Sequence, residues 1–163
     1  MLGADLGTRL PSTSSIPQAP AILITGGTHD TIMLGGGVLT RWPLAEMGYI
    51  TRGQLGAGDN AHSGIDLAVP MGTPIRVAGS GSVVEAARDQ EYGLFVLVQH
   101  EGGYETRYAH LSRLLVTAGK NLLAGEVIGL SGNSGRSSAP HLHFEITQRG
   151  QSIDPRTLLQ EGR

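Results

Sequence analysis

The chain carries six histidines and no cysteine. Any metal held by its side chains must therefore use His, Asp or Glu, and thiolate sites, disulfides and Cys nucleophiles are excluded. Two histidines stand two apart in His141-Leu142-His143-Phe144-Glu145-Ile146. Side chains two apart on a strand point to one face, so both imidazoles share a side and Leu142, Phe144 and Ile146 form an apolar row opposite. A second box, His62-Ser63-Gly64-Ile65-Asp66, offers an imidazole and a carboxylate. The alternation from Ile65 to Val69, stopped by Pro70, reads as a strand with Asp66 turned away from Ile65, Leu67 and Val69. A catalytic zinc commonly takes three protein ligands of this kind and leaves a fourth position for water. His62, Asp66 and one histidine of the HxH pair would fill that set. Tyr108-Ala109-His110 adds another imidazole on a strand-like run, with Tyr108 and His110 expected on one face. An isolated histidine is most often a hydrogen-bonded structural residue, and His29 and His100 are read that way.

The elements that must position these residues are short and punctuated by glycine. Between Gly72 and Gly135, runs such as SVVEA, LFVLVQH and TRYAHL are rich in β-branched and aromatic residues and are bounded by turns. No sustained 3.6-residue period appears, although residues 111–116 and 155–160 could each hold a short helical turn. The fold class is mainly antiparallel β. GTPIRVAGSGSVVEA and GKNLLAGEVIGLSG share a faint likeness, each an apolar run, a glycine turn and a second apolar run, too weak to be called a repeat. Residues 1–41 read as a flexible leader, rich in Pro, Ser and Thr over its first twenty residues, followed by a short β extension; residues 42–160 read as one domain.

Composition narrows the function classes. At 163 residues and 39% hydrophobic, one core is expected. A net charge of −2 with no basic cluster argues against nucleic acid as a partner. No apolar run reaches the roughly 18 to 20 residues of a membrane-spanning helix. The first twenty residues lack a basic start followed by an apolar stretch, so no secretory signal peptide is visible.

The order H-x-x-x-D, then Y-x-H-L, then P-H-L-H-F-E resembles the lysostaphin and LytM-like zinc endopeptidases of bacterial cell walls. Also similar are HSGIDLAVPMGTPI, YGLFVLVQHEGGYETRYAHL, AGEVIGLSGNSGRSSAPHLHFEI and IDPRTLL, so the resemblance covers roughly residues 42 to 159. The stretch TRGQLGAGDNAHSG departs from the family by lacking its common Phe-Gly-x-Arg. The resemblance implies a barrel-sandwich-like domain of short antiparallel strands, the duplicated hybrid motif. It further implies one zinc ion per chain held by His62, Asp66 and His143, with His110 and His141 as the two non-ligand catalytic histidines. The reaction implied is direct hydrolysis of peptidoglycan peptides at the cell envelope or outside the cell, by a chain expected to be a monomer. All five family positions are filled, whereas a non-catalytic wall-binding or amidase-activating relative is expected to have lost a ligand.

The loop Ser131-Gly132-Asn133-Ser134-Gly135-Arg136 is not a phosphate cradle, because no Gly-Lys-Ser/Thr follows it. In the family it lines the cleft, which makes Asn133 and Arg136 candidate substrate-groove residues, with a plain turn as the other reading; Tyr108 is a third candidate, through its hydroxyl, with a packed aromatic as the other reading. Glu145 has two readings, a carboxylate that orients a histidine and a solvated strand residue. A lipoyl or biotinyl carrier would need a modifiable lysine on a hairpin, and Lys120, the only lysine, lacks the flanking pattern.

Overall fold

The computed structural model describes residues 39–45, 48–54 and 61–159. The leader, the β extension up to residue 38 and His29 lie outside them. The described residues belong to one compact unit, Met33–Arg163. Among the described residues its strands are β1 (Tyr49–Arg52), β2 (Ile65–Ala68), β3 (Pro74–Arg76), β4 (Gly81–Asp89), β5 (Gly93–Gln99), β6 (Tyr104–Leu114), β7 (Asn121–Leu122), β8 (Val127–Ser131), β9 (Leu142–Gln148) and β10 (Gln151–Ile153), with a 3-10 turn at Glu101–Gly103 and one short α-helix, α1 (Pro155–Leu158). All pair antiparallel in a single connected sheet of order β1-β2-β9-β6-β5-β4-β7, with β10 on β9, β8 on β6 and β3 on β8. The sheet runs from β1 to β7 without closing.

Alternation places the core. Ile65 and Leu67 of β2 and Leu142, Phe144 and Ile146 of β9 are fully buried on one face, with Leu39, Trp42 and Leu44 packed in the same cluster. Leu39 thus joins the core ahead of the expected domain boundary at residue 42. The two segments with a faint sequence likeness pair with each other reciprocally. β3 lies against β8 with Ile75 opposite Gly129, and β4 lies against β7 with Gly81 opposite Leu122.

Two local expectations are corrected. Residues 111–114 form no helical turn: β6 runs on to Leu114, because Leu111, Arg113 and Leu114 pair with Ser131, Leu130 and Gly129 of β8. The turn at Pro155 does form, with Pro155 in its first turn and the Asp154 side chain accepting from the Arg156 N–H.

The second correction concerns Tyr108 and His110, which do not share a face. Opposite β6, Val96 pairs with Tyr108 but Leu94 pairs with Leu111, so β6 carries one extra residue there. His110 takes a left-handed backbone, φ 60°, as bulged strands permit. The extra residue resets the alternation: Tyr108 and Leu111 both enter the core at 0% exposure, and His110 turns to the other side. Tyr108 is therefore a core residue and not a groove residue. Its ring packs on Phe144 at 5.2 Å between centroids, and its hydroxyl accepts the Ala78 N–H at 2.8 Å. Burial raises its phenol pKa well above the usual value. Tyr108→Phe leaves that buried N–H without its acceptor, so the expected loss is about 1–3 kcal/mol of unfolding free energy in chemical denaturation. Zinc uptake by the folded fraction should be unchanged. Lost zinc uptake at unchanged stability would return Tyr108 to the site.

Candidate metal centre

Asp66 and His143 face each other across the β2–β9 ladder. His62 sits just ahead of β2, so its imidazole reaches the same place from the side. The three residues converge through one atom each. His143 Nδ1 lies 2.8 Å from Asp66 Oδ1, His62 Nε2 lies 3.2 Å from the same oxygen, and the two ring nitrogens are 3.2 Å apart. Bonds of 2.0–2.1 Å in a tetrahedral zinc site put ligand atoms about 3.3 Å apart, so the donor set and its spacing fit this ion. Among the described residues, this is the group of His, Asp and Glu side chains arranged to hold a metal.

Neighbouring acceptors set the tautomers. His62 donates Nδ1–H to the Gly53 carbonyl at 2.8 Å, which leaves the Nε2 lone pair for the centre. His143 is turned the other way, because Glu145, two residues on and on the same face of β9, takes its Nε2–H at 2.9 Å and frees Nδ1. Glu145 is buried at 4% exposure. It also accepts from the Ser63 hydroxyl, from the Tyr92 hydroxyl at 3.0 Å and from Arg107 Nη1 at 3.0 Å.

Two further imidazoles border the centre. His141 Nε2 is 3.6 Å from Asp66 Oδ1, and its Nδ1 contacts the Ala139 carbonyl at 2.8 Å and Ser137 Oγ at 3.1 Å. His110 donates Nδ1–H to the Ser134 carbonyl at 2.8 Å, and its ring lies 4.7 Å from that of His141. In both neutral rings the Nε2 lone pair is the one available. The loop of residues 132–139 supplies these acceptors, held by a close glycine contact. A Cβ on Gly135 would fall 2.2 Å from the Gly93 nitrogen, and one on Gly93 would fall 2.4 Å from Ser134. Both glycines have positive φ, so neither position readily takes a side chain. Asn133 on this loop is half-buried with Oδ1 shielded, and Arg136 is exposed.

Electrostatics follow from this packing. Burial disfavours the His143 cation, but hydrogen bonds to Asp66 and Glu145 and their charges more than offset it, raising the pKa to about 9. Burial opposes the Glu145 anion, yet hydrogen bonds from His143 and Ser63 and the charges of His143 and Arg107 bring it down to about 2. Asp66 is also lowered: burial pushes it up, and the His143 hydrogen bond with the surrounding imidazoles outweighs that. Burial holds His110 below its ordinary value despite the Ser134 carbonyl. The centre thus prefers a cation between its carboxylates and a neutral imidazole beside it.

The structure brings together His62, Asp66, His110, His141 and His143 and removes Tyr108. His100 is structural, buried between the Ser80 carbonyl at 2.9 Å and Thr106 Oγ1 at 2.7 Å. Sequence reasoning missed Ser63, Tyr92 and Arg107. Arg107 stands opposite Glu145 only through the β6–β9 register, and Tyr92, although it opens the family-like run YGLFVLVQHEGGYETRYAHL, carries no local sign of its contact with Glu145.

A family model described as Peptidase family M23 matches residues 60–155. Peptidoglycan DD-endopeptidase ShyA of Vibrio cholerae serotype O1 is 45% identical over 93 residues, covering 57% of this chain and 22% of that protein. The chain therefore spans about a fifth of that relative's length. A zinc-containing peptidase from Vibrio cholerae shares the fold at a TM-score of 0.66 and 31% identity, over 71% of this chain and 38% of that one. The catalytic domain of the antimicrobial peptidase lysostaphin from Staphylococcus simulans does so at 0.58 and 34%, over 68% and 88%. Motif order, strand register and the match over most of the sheet agree: the chain belongs to peptidase family M23.

Proposed function

We propose that this chain is a zinc-dependent endopeptidase that hydrolyses cross-links or stem peptides of bacterial peptidoglycan. The observation that carries the reading is the convergence of His62 Nε2, Asp66 Oδ1 and His143 Nδ1 beside two imidazoles whose Nε2 atoms remain available. His62, Asp66 and His143 would hold one zinc ion. Bound there, zinc lowers the pKa of water and polarises a carbonyl, so no Ser or Cys nucleophile is required. His110 and His141 act on the proton chemistry. With Nδ1 facing a carbonyl, each neutral ring offers Nε2 to accept a proton and later return it to the leaving amine. Burial keeps His110 in this basic form at neutral pH.

The substrate class is supported by the name of the DD-endopeptidase relative, and the cell envelope is the corresponding site of action. Asn133 and Arg136 are proposed to line the groove, on the loop that also carries the acceptors for His110 and His141. A non-catalytic wall-binding role is disfavoured because both the ligand set and the two flanking histidines are complete.

Release of soluble fragments from purified peptidoglycan, with metal content per chain, tests the proposal directly. Release should stop on chelation and return with zinc, and His143→Ala should take up no zinc. His141→Ala should keep zinc and lose about 10²–10⁴-fold in turnover. A parent chain that stays inactive with zinc bound would sink the peptidase reading in favour of a binding role.

The pH dependence has a definite sign. In the chelated protein the raised His143 pKa gives stability that is complete below about 6.5 and lost as pH rises through about 9. The lowered Glu145 pKa gives stability present above about 4.5 and lost as pH falls towards about 2. Denaturation of the chelated chain should therefore show this cluster's contribution greatest between pH 4.5 and 6.5. Zinc must displace the His143 proton, so chelator competition should show affinity rising about tenfold per pH unit up to pH 9.

A further inference from the structure

Tyr92 is the residue at the tip of the β4–β5 hairpin, half-buried and outside the motifs that mark the family resemblance as ligands or bases. It nonetheless touches both halves of the centre. Its hydroxyl donates to Glu145 Oε1 at 3.0 Å, the same oxygen that receives Nε2–H of His143 at 2.9 Å. Its backbone carbonyl accepts the His110 N–H at 2.8 Å, at the bulge where His110 holds φ 60°. The Arg107 guanidinium lies 4.4 Å over its ring, and Arg107 grips the other Glu145 oxygen. Its own N–H is tied to Asp89 Oδ1 at 2.6 Å, which fixes the turn.

We propose that Tyr92 is a positioning residue of the metal centre, whose hydroxyl holds Glu145 against His143 while its carbonyl holds the bulge that presents His110. The proposal rests on the zinc-peptidase reading for its effect on turnover. Its physical basis is a shared acceptor oxygen. Oε1 of Glu145 is shared by three donors, Ser63, Tyr92 and His143, while Arg107 holds Oε2. Glu145 is only 4% exposed, so a lost donor is not readily replaced by solvent. Without the Tyr92 hydroxyl, Oε1 keeps Ser63 and His143 but loses one of its three anchors, and the angle at which His143 presents Nδ1 is less constrained. A residue that merely filled space would act through its ring, and the ring contacts with Arg107 and Phe95 survive loss of the hydroxyl.

The test is a double-mutant cycle of Tyr92→Phe and Glu145→Gln, read by zinc affinity in competition with a chromophoric chelator. Tyr92→Phe keeps the ring and should weaken zinc binding about two- to tenfold, the worth of one hydrogen bond. Glu145→Gln should weaken it about 10–100-fold. The double variant should bind zinc as Glu145→Gln does, because Tyr92 acts through that carboxylate. Turnover of Tyr92→Phe at saturating zinc should fall in kcat with KM unchanged. Unchanged zinc affinity in Tyr92→Phe, additive losses in the double variant, or a parent chain that binds no zinc would each overturn the proposal. If the parent binds zinc but releases nothing from peptidoglycan, the peptidase reading falls alone, and the affinity cycle still decides the role of Tyr92.

Discussion

The centre depends on one register: β2 and β9 pair so that Asp66 stands opposite His143, and β9 and β6 pair so that His143 stands opposite Ala109. Side chains directly opposite on neighbouring strands are close enough to share an ion or a proton. A slip by one residue on either ladder would send the imidazole into the core and an apolar side chain into the site. That slip is opposed by Ile65, Leu67, Leu142, Phe144 and Ile146, all buried on the opposite face. The hydrophobic row and the polar row are two sides of the same strands, so burying the first places the second.

Having placed charged groups at the base of the site, the fold must satisfy them. Asp66, His143, Glu145 and Arg107 form a chain of alternating charge in which each member has a partner within about 3 Å. A buried carboxylate with one donor would be costly, whereas Glu145 with four is strongly acidic and holds its neighbour firmly. The same hydrogen bonds that stabilise the charges also select which nitrogen of His143 faces the centre. Structural support and tautomer choice are therefore a single interaction.

His110 obeys a different rule. Regular alternation would have buried it beside Tyr108, and only an extra residue in β6, with a left-handed backbone, turns it outward. A left-handed backbone is unfavourable for a non-glycine residue and persists only where its surroundings over-determine it. Here the His110 N–H is held by the Tyr92 carbonyl and the His110 ring by the Ser134 carbonyl, with Gly93 and Gly135 allowing those two loops to meet.

Much of this protein was legible in its order of residues. The period-two patterns around Asp66 and His143 identify strands, a polar face and a core face, because burial acts on every second residue of a strand and leaves that period in the sequence. The absence of cysteine limits the ligands, and the spacing of HxxxD, YxH and HxH carries the family resemblance. What only the tertiary structure decided depends on contacts between distant segments. These are the bulge that separates Tyr108 from His110, the reciprocal pairing of β3 with β8 and β4 with β7, and the gathering of Ser63, Tyr92 and Arg107 on Glu145. A bulge is visible only against its partner strand, and a hydrogen bond between residues 53 apart, as from Tyr92 to Glu145, leaves no local period to read.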